Sequence, residues 1–145
     1  MIELILIFIG IFMQFVLAES DMGFVQVSEA AVAESAPFNQ ELYDQGMNEY
    51  LSAYCGSCHV LDAAGARGNF GPGHNQAATQ ARAGLNDPDY GGEAKTVSEY
   101  LRESIVNPGA YYTEGYGGST HAMPAYTNLT DEQLEAIVYM LAQQG

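Results

Sequence analysis

The stretch that most constrains this chain is Cys55-Gly56-Ser57-Cys58-His59. Two cysteines separated by two residues, with histidine directly after, form the attachment pattern for a c-type haem. The chemistry explains the spacing. Two thiols add across the two vinyl groups of one porphyrin edge, so they must reach neighbouring points of a flat ring. The next residue then lies under the ring face, where an imidazole can bind iron as the proximal ligand. Gly56 and Ser57 are small, which lets the backbone curl closely along the porphyrin.

Other chemistries also use two cysteines at this spacing. A disulfide or thioredoxin-type dithiol usually sits after a buried strand in a βαβ unit. Nothing upstream of Cys55 reads as such a strand. A structural zinc site wants two further cysteines or a well-spaced histidine pair. The chain has two cysteines in all, and His74 and His121 are far apart. The expected cofactor is one covalently attached haem c with its iron, held by Cys55, Cys58 and His59.

The 145 residues allow one domain plus attachments. Four Lys+Arg against 18 Asp+Glu give a net charge of −14 at pH 7. Nothing here could neutralise phosphates, so no nucleic-acid partner is expected. The acidic balance suits solubility or a basic or neutral partner.

Residues Ile2 to Ala18 form a nearly continuous apolar run in which Glu3 is the one charged side chain. As a helix it would span roughly 26 Å, just short of a hydrocarbon core. The expectation is a transmembrane anchor over residues 1–18. The alternative is a signal peptide cut after Val16-Leu17-Ala18, although the usual basic segment is missing. Residues 19–37 are small and acidic and read as a flexible linker, with a short helix over Ser28 to Ser35 compatible with the pattern. The globular domain is expected over residues 38–145.

Asn39 can cap a helix running to about Tyr54. Leu42, Gly46, Tyr50 and Tyr54 fall at steps of four, with Tyr43, Met47 and Leu51 beside them. Gly46 in mid-helix costs about 1 kcal/mol relative to alanine, and a close helix crossing would offset it. The glycine-rich stretch from Val60 to Gly73 reads as a loop. Gln76 to Ala83 suits a short helix, and Leu85 to Gly92 a surface loop. Thr96 and Glu99 form a capping box before Val97, Tyr100, Leu101, Ser104 and Ile105, and Asn107-Pro108-Gly109 ends that helix. Thr130 and Gln133 form a second capping box, with Leu129 and Leu134 as a hydrophobic staple. Leu134, Ile137, Val138 and Leu141 follow helical spacing. Between the last two helices lies an irregular loop, Ala110 to Leu129, carrying His121-Ala122-Met123-Pro124.

From about residue 40 to 143 the chain resembles the class I cytochrome c family. The resemblance rests on the helix ending at the haem motif, on Gly71-Pro72, on Asn107-Pro108 and on Met123-Pro124. It implies an all-α fold with three main helices around one haem, the last crossing the first. Gly46 would then meet a partner near Val138 and Leu141. It implies that the Pro72 carbonyl accepts a hydrogen bond from His59 and that Met123 is the second iron ligand. His121 is the rival ligand and His74 a more distant one. Tyr111, Tyr112, Tyr116 and Tyr126 are candidates for lining the haem or bonding its propionates. The family usually reads Gly-Pro-Asn-Leu where this chain has Gly71-Pro72-Gly73-His74, so the leucine that packs on the haem is absent. The spacing of five positions from Tyr50 to Cys55 resembles that of cytochrome modules attached to terminal oxidases.

The expected function is a mono-haem electron carrier rather than an enzyme. With the anchor, it would be a membrane subunit of a respiratory or photosynthetic redox complex, its partners other redox subunits or a soluble carrier. Haem attachment in bacteria places the haem domain on the periplasmic side. A free periplasmic shuttle is the alternative. A haem-based gas sensor or peroxidase follows if Met123 is not a ligand, and a dithiol oxidoreductase if there is no haem.

Overall fold

Asn39 starts the first helix by accepting the Leu42 N–H on its side-chain oxygen at 3.0 Å. This satisfies one of the free amides of the first turn. In this computed structural model, which describes residues 37–118 and 120–145, the helix is α1, Gln40–Ser52. The expected anchor or signal over residues 1–18, and the linker to residue 36 with its short helix, lie outside the described residues. Among the described residues no helix is long and apolar enough to cross a membrane.

The apolar stripe of α1 stops sooner than its spacing suggests. Gly46 and Tyr50 are buried, but Tyr54 is 76% exposed and has left the helix with φ of 59°. A left-handed tyrosine costs roughly 1–2 kcal/mol. The bend has a use. It turns the chain into the tight turn Cys55–Ser57, where the Ser57 N–H bonds the Tyr54 carbonyl at 3.0 Å. A straight continuation of the helix would carry the two cysteines away from the core.

The stretch read as a loop after the motif holds a small antiparallel ribbon. Strand β1, Val60–Leu61, pairs with β2, Ala66–Arg67, with Leu61 opposite Ala66. Gly65, at φ of 64°, supplies the left-handed residue that closes the turn. Leu61 is fully buried, so the ribbon is held from below by the core. Two residues per strand give no sequence alternation to read.

Helix α2, Ala77–Leu85, buries Ala77, Ala78, Ala81 and Gly84. Helix α3, Val97–Val106, carries the Thr96–Glu99 capping box, with both hydrogen bonds made. Helix α4, Asp131–Ala142, carries the Thr130–Gln133 box in the same way. Among the described residues the fold is mostly helical, as expected, with α2 as a fourth helix beside the three main ones.

Helices α1 and α4 cross most closely, and α3 packs on α4. Gly46 does lie at the crossing, but not against Val138 and Leu141. It faces the Ala136 carbonyl and Met140, and a Cβ there would come within 2.6 Å of the Met140 Cβ. Ala136 and Met140 are four residues apart and share one face of α4. Ile137 and Leu141 lie one step around the helix and line a cavity instead. Among the described residues, the largest fully buried side chains are Tyr50, Leu61, Ile137 and Met140. Burying each aliphatic one is worth about 1.5–3 kcal/mol.

Candidate functional site

The turn at the end of α1 presents Cys55, Cys58 and His59 to a cavity of about 300 Å³. Leu101 and Ile105 from α3 and Ile137 and Leu141 from α4 line it, and Met123 lines it from the loop between those helices. Cys55 and Cys58 form no disulfide with each other, and Cys55 is half-buried and Cys58 exposed. Burial, more than the neighbouring Cys58 sulfur, pushes the Cys55 thiol up to about 11. That is the reverse of what a dithiol oxidoreductase needs, since the thiolate is its nucleophile.

His59 is buried, and its Nδ1 lies 2.7 Å from the Pro72 carbonyl oxygen. A carbonyl only accepts, so Nδ1 carries the proton and Nε2 is left with a lone pair. Burial holds His59 below the ordinary histidine range, with the Pro72 carbonyl pulling the other way. The Gly71 backbone runs against the ring, and any Cβ at this position would overlap its Cε1 and Nδ1. The Gly-Pro loop reaches the motif through Phe70 and Gly71 N–H bonds to the Cys58 carbonyl, at 3.0 and 2.9 Å.

The two other histidines have separate places. His74 lies flat on His59, ring centroids 4.0 Å apart and planes 12° from parallel. The Tyr50 hydroxyl is 3.1 Å from its Nδ1. Burial, then the adjacent His59, pushes His74 down to about 3, so the ring is neutral. His121 is exposed, stacks on Phe70 at 4.4 Å and lies 3.3 Å from the Thr120 hydroxyl through Nδ1.

Tyr111, Tyr112, Tyr116 and Tyr126 all line the cavity. Two of their hydroxyls are engaged, Tyr111 with Asp87 at 2.7 Å and Tyr126 with the Ala53 carbonyl at 3.2 Å. Tyr50, Tyr54 and Tyr100 line it as well, beyond the set expected from the loop. Tyr50 and Tyr100 stood on helical apolar faces in the sequence; the spacing marked them as buried but not what they would face. Among the described residues, no lysine or arginine lines the cavity.

These residues fit a haem. The lining is mainly apolar, two cysteines not paired with each other stand at its edge, and a histidine offers an Nε2 lone pair beside them. A structural zinc site does not fit, since among the described residues no three or more His, Cys, Asp or Glu are grouped to hold a metal ion. A helical domain whose Cys-x-x-Cys-His turn opens onto an apolar cavity, with a methionine lining that cavity from another loop, is a haem-binding electron-transfer domain.

The model of the Cytochrome c family matches residues 41–144, and the chain belongs to that family. It binds covalently attached haem c, with Cys55 and Cys58 in place for the two thioether bonds. Searches of curated proteins and of solved structures returned no match.

Proposed function

We propose that this protein carries single electrons through one haem whose iron is held by His59 and Met123. The observation that carries the reading is the His59–Pro72 contact at 2.7 Å, which leaves Nε2 as the ligand atom of a ring in the cavity that Met123 also lines. When bound, the haem supplies one-electron chemistry between ferric and ferrous iron. The protein's part is to hold and shield it. Cys55 and Cys58 anchor the porphyrin edge, Pro72 orients His59, and the apolar walls keep water from the metal. A thioether ligand favours the ferrous state and raises the potential. Met123→Ala is expected to lower the potential and open the iron to carbon monoxide. An unchanged potential would remove Met123 as ligand. Carbon monoxide binding by the unaltered ferrous protein at neutral pH would favour the sensor or peroxidase reading.

We further propose that the haem domain lies outside the cytoplasm as an anchored subunit of a respiratory or photosynthetic redox complex. The support is the apolar run from Ile2 to Ala18. Its partners would be other redox subunits or a soluble carrier. The intact mass of the natively purified chain tests this. A full-length chain plus one haem, found in the membrane fraction, supports the anchored subunit. A chain starting at Glu19 plus one haem makes it a free periplasmic shuttle.

A further inference from the structure

An imidazole that bonds a carbonyl through Nδ1 is held in direction but not in plane. Carbonyl oxygens accept over a broad range of angles, so the ring can swing about the line through its two nitrogens. In this protein the swing is blocked on two sides. The Gly71 backbone lies against the Cε1–Nδ1 edge of His59. The His74 ring covers a face of it, 4.0 Å away and nearly parallel.

His74 is itself held. The Tyr50 hydroxyl is 3.1 Å from its Nδ1, and the same hydroxyl is 3.4 Å from the His59 carbonyl. Tyr50 is completely buried in the core. The chain of contacts therefore starts on the backbone of His59, passes through Tyr50 and His74, and returns to the His59 ring. The parallel stack also argues against His74 as a competing iron ligand, because the ring lies beside His59 with one nitrogen turned to Tyr50.

We propose that His74 is a positioning residue that fixes the plane of the His59 imidazole against the haem. This rests on the reading of His59 as iron ligand. A leucine at this position would fill space, but it has no flat face to match the ring and no atom to bond Tyr50. In ferric haem the plane of the axial imidazole sets which iron orbital holds the unpaired electron. That orbital determines how far each haem methyl is shifted in the proton NMR spectrum.

The test is the proton NMR spectrum of the ferric holoprotein and its variants. In His74→Leu the four shifted methyl resonances are expected to change their order, because the ring is free to turn. In His74→Phe, which restores a flat face, they are expected to keep the order of the unaltered protein. An unchanged order in His74→Leu overturns the proposal, and so does an equal change in both variants. If His74→Leu does not accumulate, His74→Gln decides. It can keep the bond to Tyr50 without a ring, and an unaltered methyl order there overturns the proposal. If the unaltered protein shows no shifted imidazole resonances from His59, the ligand reading itself fails, which separates the two outcomes.

Discussion

Tyr111 donates its phenol proton to Asp87 at 2.7 Å, tying the cavity wall to the loop after α2. Around it, Tyr90, Tyr100 and Tyr111 meet ring to ring at 5.5–6.2 Å, and Tyr90 donates in turn to Glu103. The loop that reads as plain surface in sequence thus braces one side of the haem cavity.

That bond has a pH signature. The Asp89 N–H and then the Tyr111 hydroxyl hold Asp87 below its usual range, and Asp87 holds Tyr111 up to about 12. A lowered carboxylate contributes stability above its ordinary pKa and loses it as pH falls through the folded value. A raised phenol contributes below its ordinary value of 10.0 and loses it as pH climbs towards about 12. Tyr111→Phe is expected to move the Asp87 titration part of the way back up, since the Asp89 N–H remains. Carboxyl-carbon NMR reads the shift, and an unmoved Asp87 would mean the bond is absent in solution.

Gly46 opposes two effects of different size. Helix propensity alone says that Gly46→Ala should gain about 1 kcal/mol. The crossing says otherwise, because the new Cβ would run into the Ala136 carbonyl and the Met140 side chain. Overpacking against backbone costs about 1–3 kcal/mol. The expected outcome is a net loss, seen as a midpoint lowered by roughly 4 °C per kcal/mol in thermal melts of the holoprotein. A raised midpoint would place the α1–α4 contact elsewhere.

Gly71 is placed to act on the site rather than the fold. A methyl group at this position would displace the His59 ring from Pro72. Gly71→Ala is expected to weaken the low-spin ferric spectrum while leaving the far-ultraviolet helix signal near its original level. An unperturbed haem spectrum would count against the tight slot around His59.

The two cysteines should be separable. Cys55→Ala and Cys58→Ala each leave one thioether, so haem should stay with the denatured chain on a gel. The double variant should release it to acid and organic solvent. Retention of haem by the double variant would require another point of attachment.

Much of the fold is legible because its signals are local. Thr96 with Glu99, and Thr130 with Gln133, mark helix starts through hydrogen bonds that span three residues. Such bonds form wherever the chain enters a helix, whatever packs around it. The haem motif is local for a similar reason, since both thiols and the imidazole must meet one porphyrin within five residues. The ends of elements are less legible. Tyr54 continues the apolar spacing of α1, yet it is turned out to solvent because the chain must bend there to present Cys55.

By itself, then, the sequence determined the cofactor chemistry, the helix starts and most, though not all, of the residues that would be buried. Only the tertiary structure decided what those residues meet. Gly46 meets Ala136 and Met140 rather than Val138 and Leu141, because the rotation of α4 depends on how its whole face fits α1. His74 lies against His59 although they are fifteen positions apart in the sequence, because Tyr50 and the Gly-Pro loop bring it there. Periodicity records that a side chain is covered. The partner that covers it comes from a distant part of the chain, and packing in three dimensions makes that choice.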